Sequence, residues 1–252
     1  MRSKERRSFL LETLRGGEVD VEDLARRFNV SASTVRRDLQ QLSSANAIRR
    51  TYGGAILAHA APETSLSQRQ TINGTEKEAI ARVAIGLLAD DDVLILDAGS
   101  TVSAFGRLLR GRRHRVVTNN LSLVPVLADA PDIDLTVLGG ALRATSMSTL
   151  GPLAMEAMGR MTADKLFMSA DGVVADRGLC EASLDQVALK GLMMRQAREI
   201  VVLADATKLS RGDQAFWAPL PNRWTLVTDH RVTAAQCEIF AGAGAQVIRA
   251  EG

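Results

Sequence analysis

The second half of the chain most constrains the fold, because seven short apolar runs recur there, separated by helical segments. The runs are Val93 to Leu96, Arg115 to Val117, Leu135 to Leu138, Lys165 to Met168, Ile200 to Leu203, Thr225 to Val227 and Gln246 to Ile248. Several are continuously apolar rather than alternating, the pattern of strands buried on both faces. Such strands, alternating with helices, build a mainly parallel sheet covered on both sides. Ligands of these sheets bind beyond the carboxyl ends of the strands, so the residues after each run carry the functional information.

Five successive runs end in short polar loops. Asp97-Ala98-Gly99-Ser100-Thr101 leads into a helix, and free amides with small hydroxyls at a helix N-terminus suit a phosphate. Thr118-Asn119-Asn120 can bond hydroxyls or fix its own loop. Gly139-Gly140 lets backbone approach a ligand, with Arg143 offering a charge. Ala170-Asp171-Gly172 and Asp205-Ala206-Thr207-Lys208 follow, and Lys190 falls between them on a helix expected over 184–198. Each loop alone reads as an ordinary turn; five in succession read as a site.

The N-terminal residues have a different period. Phe9, Leu10 and Leu14 stripe a first helix that stops at Gly16-Gly17. Asp20 caps a second, with Val21, Leu24, Ala25 and Phe28 at helical spacing, and a tight turn at Asn29-Val30 follows. Ser31 caps a third helix, whose inward stripe is Val35, Leu39 and Leu42. Helices two and three thus form a helix-turn-helix. Ser33, Arg36, Arg37 and Gln40 fall on its outer or flanking faces, and Ser31 to Thr34 are small enough for close approach to a duplex. Hydroxyls and helix N-terminal amides suit phosphate, and arginine forks suit guanine or phosphate. Asp38 is expected to pair with a nearby arginine. After a stop at Asn46, AIRRTYGGA reads as a wing, with Arg49 and Arg50 along the DNA backbone or in the minor groove.

Charge supports that reading. The chain is nearly neutral at +2, yet residues 1–54 hold eleven Lys and Arg against seven Asp and Glu. The basic excess therefore belongs to the segment that reads as a DNA-binding domain.

The run VEDLARRFNVSASTVRRDLQQLSSANAIRRTYGGAIL resembles the winged helix-turn-helix of the DeoR family of bacterial transcriptional regulators. It carries that pattern at Leu24, Ala25, Phe28, Val30, Ser31, Thr34, Arg36, Arg37, Asp38, Leu39 and Leu42, then at Arg50, Gly53, Gly54 and Ala55. The rest resembles the family's effector-binding domain, similar in fold to ribose-5-phosphate isomerase and glucosamine-6-phosphate deaminase. The resemblance implies an α/β protein: a small N-terminal winged helix-turn-helix domain over 1–57, a linker over 58–75 containing Pro62 and Gly74, and a larger α/β domain with a mainly parallel sheet over 76–252. In the last, Glu76-Lys77 would open a helix over 79–88. It also implies a ligand phosphate near Gly99, Ser100 and Thr101, and sugar-binding groups at Asp97, Asn119, Asp171, Lys190, Asp205 and Lys208. Cys180 stands where the family more often has threonine, which puts a hydroxyl contact there in question.

The expected protein is a repressor of carbohydrate metabolism. Its partners would be a double-stranded DNA operator and a phosphorylated sugar, and it would act as a homo-oligomer, dimer or tetramer, in the cytoplasm. Neither a cofactor nor a metal is expected: Cys180, Cys237, His59, His114 and His230 are scattered, and both thiols read as small buried hydrophobes. No apolar run reaches the roughly 20 residues of a membrane helix. The rival reading is a phosphosugar isomerase or deaminase, which needs a carboxylate base beside its electrophilic helpers. Here Asp171-Gly172 is followed by Val173-Val174 and Lys190-Gly191 by Leu192-Met193, a pocket without the catalytic kit. A third reading, a DNA-binding protein with a mere assembly scaffold behind it, leaves the five polar loops unexplained.

Overall fold

A computed structural model describes residues 3–14, 19–44, 48–50, 54–57 and 64–251, divided into two units at 63/64. In the first unit, α1 (Ser3–Leu14) precedes β1 (Val19–Asp20), α2 (Val21–Phe28) and α3 (Ala32–Ser44), and a wing follows as β2 (Ile48–Arg50) and β3 (Gly54–Leu57). Asp20 caps α2 by accepting from the amides of Glu22 and Asp23, and Asn29 ends it in the left-handed conformation. Ser31 Oγ accepts from the Thr34 amide at 3.2 Å, opening α3 as expected. Leu10, Val21, Leu24, Ala25, Val35, Leu39 and Leu42 form the small core. Phe9 departs from the expected stripe: it is exposed, whereas Leu10 turns fully inward. The wing strands pair antiparallel with Arg49 opposite Ile56 and Arg50 opposite Ala55, and β1 adds to the other side of β3. The expected stops at Gly16-Gly17 and Asn46, the wing's Gly53, Pro62 and His59 lie outside the described residues.

The second unit begins before the expected domain. Residues 58–75 read as linker, yet α4 (Leu66–Thr71) and the start of α5 (Gly74–Ile85) lie within that span. Ser65 and Gln68 make a reciprocal capping box, and Leu66 is buried, so a short amphipathic turn escapes periodicity tests that need a longer window. The helix expected over 79–88 accordingly starts at Gly74 and ends at Ile85.

There follow β4 (Val93–Leu96), α6 (Ser100–Arg107), β5 (His114–Thr118), α7 (Val124–Leu127), β6 (Ile133–Val137), the hairpin β7 (Ala141–Arg143) and β8 (Ser148–Leu150), and α8 (Pro152–Met158). Then come β9 (Ala163–Met168), β10 (Gly172–Val174), β11 (Gly178–Glu181), α9 (Leu184–Gln196), β12 (Ala197–Leu203), β13 (Phe216–Ala218), β14 (Trp224–Asp229), α10 (Ala234–Gly242) and β15 (Ala245–Ala250). All seven expected strands join one sheet in the order β15-β14-β12-β9-β4-β5-β6, and every neighbouring pair is parallel.

Successive strand residues point to opposite faces, which the core records directly. Ile95, Leu166, Met168, Val202 and Leu226 pack on one face with Met158, Leu189 and Met193 of α8 and α9. Leu94, Leu96, Phe167, Val201 and Val227 pack on the other with Ile80, Val102 and Phe105 of α5 and α6. Phe105 stacks on Phe167 at 4.1 Å between ring centres. The chain order reverses between β4 and β9, the kind of crevice where open sheets hold ligands. The small sheets β7-β8 and β10-β11-β13 were not foreseen, because their strands are only three or four residues long.

Candidate functional site

On α3 the buried stripe leaves the opposite face to solvent: Ser31, Ser33, Arg36, Arg37 and Gln40 are exposed and Thr34 half so. Ser31 Oγ lies 2.8 Å from both Ser33 Oγ and Thr34 Oγ1, a cluster of hydroxyls at the helix start. Arg36 makes an ion pair with Glu22 of α2 at 3.3 Å, more than half exposed at each side chain. Arg37 makes no ion pair among the described residues. Asp38 is buried and pairs with Arg6 of α1 rather than with its neighbours on α3. The expectation of a nearby partner is thus corrected: Asp38 lies on the inward side, where α1 supplies the cation. Arg49 and Arg50 occupy consecutive positions of β2; their side chains lie outside what the structure describes.

In the second unit a narrow cleft opens at the carboxyl ends of β4, β5 and β9. Of the residues anticipated from the sequence, Asp97, Gly99, Ser100, Asn119, Asp171, Lys190 and Lys208 line it. Gly99 is required there: its φ is +153°, and a Cβ would sit 3.3 Å from Ser169 Cβ. It caps α6, whose first-turn amides are free of a side-chain cap. Three buried oxygens of lining residues find no hydrogen-bond partner among the described residues: Ser100 Oγ, Asn119 Oδ1 and Asp171 Oδ2. Buried polar atoms left bare cost about 1–3 kcal/mol each, so such atoms in a cleft point to a ligand.

A chain of charges runs through the cleft. Lys190 Nζ donates to Asp97 Oδ2 and to the Ser169 carbonyl at 2.5 Å, and lies 3.1 Å from Glu181 Oε1. Burial opposes its charge, but Asp97 and Glu181 together hold it above the usual lysine range. Burial pushes Glu181 up to about 7, against the pull of Lys190. Lys208 Nζ reaches the Ala170 carbonyl at 2.6 Å and Ser169 Oγ at 3.4 Å. Burial draws its ammonium below the usual range, with Asp171 opposing, and an anion beside it would favour the charged form. Asp171 Oδ1 accepts from Arg69 of α4 at 3.3 Å.

Several anticipated residues sit elsewhere. Thr101 is wholly buried behind the cleft, with Oγ1 bare. Asp205 caps the turn Ala206–Lys208 and accepts from Asn73 Nδ2 at 3.0 Å, beneath the cleft rather than in it. Thr118 and Asn120 bond their own surroundings, Leu96 O and Ser103 Oγ among them. Gly140 serves the hairpin: a Cβ there would meet Leu150 O at 2.3 Å, so its close approach is to backbone and not to ligand. Arg143 donates to Ser146 Oγ beside it and does not line the cleft. Cys180 is buried away from the lining, bonded to Arg211 O, its thiol raised to about 11 by burial; the next residue, Glu181, turns into the cleft. Cys237 is only half-buried. Among the described residues no cluster suits a metal ion, and no helix is long and apolar enough to cross a membrane.

Arg69, Ser146, Ser148, Ser169, Glu181 and Gln186 also line the cleft. Sequence reasoning missed them: Arg69 falls in the segment read as linker, Ser146, Ser148 and Glu181 lie on or beside strands too short to recognise, and Ser169 and Gln186 lie at the end of β9 and on α9, just outside the loops singled out. The alternation in β11, which turns Glu181 to the opposite side of the strand from Cys180, was the one available signal.

A winged helix-turn-helix joined to a sheet with a charged cleft at its carboxyl edge is the architecture of a DNA-binding regulator with a sensor domain. Residues 6–61 match the DeoR-like helix-turn-helix domain and residues 72–230 the DeoR C terminal sensor domain; the chain belongs to the DeoR family of transcriptional regulators. It is 32% identical over 250 residues to the HTH-type transcriptional regulator GolR of Listeria innocua, covering 98% of both chains. It is 31% identical over 254 residues to the HTH-type transcriptional repressor GlcR of Bacillus subtilis, covering 100% of this chain and 98% of that one. A ribose 5-phosphate isomerase A from Methanocaldococcus jannaschii shares 21% identity at a TM-score of 0.41 over 55% of this chain and 56% of its own, too loose a likeness to carry a reaction across. The relatives are named as regulators and repressors, and this chain is a DNA-binding transcriptional regulator.

Proposed function

We propose that the protein represses a carbohydrate operon and that a phosphorylated sugar in the cleft of the second unit sets its affinity for the operator. The observation that carries this reading is the set of bare buried oxygens on Ser100, Asn119 and Asp171, which line the same cleft as the buried Lys208. The phosphate would lie at the N-terminus of α6, on the amides after Gly99, Ser100 Oγ and Lys208 Nζ. Two cations meet at Ser169, Lys208 at its Oγ and Lys190 at its carbonyl. Asn119, Asp97, Asp171 and Lys190 would hold the hydroxyls of the sugar, with Thr101 and Asp205 shaping the loops behind them.

On DNA, Ser31, Ser33, Thr34, Arg36, Arg37 and Gln40 would meet the major groove, and Arg49 and Arg50 the flanking backbone. Two or more protomers would join through the second units and address half-sites in multiples of about 34 Å, in the cytoplasm where the operator lies. A ligand that binds better to one arrangement of the protein shifts the population toward it, and operator affinity with it.

The test is a thermal-shift screen of the full-length protein against phosphorylated sugars, each beside its unphosphorylated parent. A native-state ligand raises the apparent stability. The expected hit is phosphorylated, is not turned over, and changes operator binding; its effect is lost in Lys208→Ala. A screen in which the parents shift as far as their phosphates sinks the phosphate assignment.

A further inference from the structure

We infer that Arg69 is an anion-binding residue of the cleft, held by Asp171 until a phosphorylated ligand takes it over, and that α4 tightens over the ligand as Arg69 is drawn in. The inference rests on the ligand class proposed above and adds the residue that reports its arrival.

The geometry is that of a strap. At the cleft edge the Leu66 amide of α4 donates to Thr145 O at 2.9 Å, Arg69 Nη2 to the same carbonyl at 3.3 Å, and Arg69 Nη1 to Asp171 at 3.3 Å. The Arg69 contacts are long for charge-assisted bonds, which favour about 2.7–2.9 Å. Its guanidinium is largely buried, 18% exposed as a side chain, and lines the cleft together with Ser100 and Lys208. A phosphate offers that fork two oxygens at once, where Asp171 presents a single oxygen at 3.3 Å. Asp171 is not stranded by the exchange, since Lys208 is its near neighbour in the same cleft.

The far end of α4 is anchored independently. Lys77 Nζ of α5 donates to the carbonyls of Arg69 and Ile72, and Asn73 Nδ2 to Asp205 and to Thr207 Oγ1. The helix is therefore held at its C-terminus by these bonds and reaches the cleft through Arg69. Its N-cap Ser65 stands two residues beyond the point where the first unit ends, so movement of α4 is movement of the chain that leads there. Ligand binding and the connecting segment share one arginine.

The test uses the full-length protein with inorganic phosphate as probe, read by binding calorimetry and by amide exchange in residues 64–77. In the wild type, phosphate should bind and slow exchange over 66–72 at least threefold. Arg69→Gln should bind phosphate about tenfold more weakly and show no slowing even when saturated. Asp171→Asn, which releases the arginine without altering it, should bind phosphate more tightly and keep the response. Phosphate bound with no change over 66–72, or with wild-type affinity in Arg69→Gln, overturns the inference and leaves the phosphate cleft standing. No binding of phosphate or of any phosphorylated sugar overturns both.

Discussion

Arg6 of α1 and Asp38 of α3 form an ion pair buried across the N-terminal unit, 10% and 4% exposed at their side chains. The acid that stands beside two candidate DNA-reading arginines is thereby turned inward, and its work is to lock α3 against α1. Removing one member of a buried pair costs about 3 kcal/mol or more, a large part of what a unit of this size commands. Arg6→Met should therefore abolish slow amide exchange in Val35 to Leu42 and, with it, operator binding. Replacing both partners by apolar residues, Arg6→Met with Asp38→Leu, should restore much of each. Slow exchange that survives Arg6→Met would show that the pair is not what holds α3.

The Arg36–Glu22 pair is a different case. Both side chains are more than half exposed, and such pairs are worth about 0–1 kcal/mol, so Glu22 restrains Arg36 without committing it. Glu22→Gln should strengthen DNA binding by a few-fold at low salt and less at high salt, while Arg36→Ala and Arg37→Ala should each weaken it by about 1–3 kcal/mol where the arginine reads a base. Titrations against operator and random duplex at two salt concentrations separate base contacts from phosphate contacts. Unchanged operator affinity in both arginine variants would remove α3 from the interface.

The parallel sheet was legible because its strands are buried on both faces, and continuous apolar runs such as Val93 to Leu96 have few other uses. Loops after those strands gave Asp97, Ser100, Asn119, Asp171 and Lys208 for the same reason: topology puts strand ends together whatever the distance in sequence. What stayed hidden depends on tertiary contact alone. Arg69 sits on a six-residue helix with too few turns to show a period, and Glu181 on a four-residue strand of a side sheet. Asp205, expected among the sugar-binding groups, caps its own turn, and a polar loop residue that bonds a ligand and one that bonds its own loop look alike in sequence.

Glu181 makes the cleft sensitive to pH. Burial raises its carboxyl to about 7, so it is mostly neutral at pH 6 and mostly charged at pH 8. A second negative charge beside Asp97 opposes an anionic ligand. Affinity for inorganic phosphate in the wild type, divided by that in Glu181→Gln, should therefore fall several-fold between pH 6 and pH 8. The ionisation of phosphate itself cancels in the ratio. Calorimetry at three pH values gives the curve, and a flat ratio would show that Glu181 keeps one charge state throughout.

Lys77 adds a second pH dependence, in stability. It is 4% exposed, and burial together with the nearby Lys208 and Arg69 lowers it to about 8, partly offset by Asp205 and Glu76. Its ammonium serves the carbonyls of Arg69 and Ile72 at the end of α4. Between pH 8 and about 10.5 the unfolded chain holds that proton and the folded one has released it, so stability contributed at this site rises with pH across the window. Lys77→Met has no proton to release. The stability of the wild type relative to Lys77→Met, from denaturant midpoints followed by the fluorescence of Trp217 and Trp224, should therefore grow in favour of the wild type from pH 8 to pH 10, since all other groups are common to both. A difference that stays constant over that range would mean that Lys77 titrates as an ordinary lysine and that the end of α4 is not held by a strained charge.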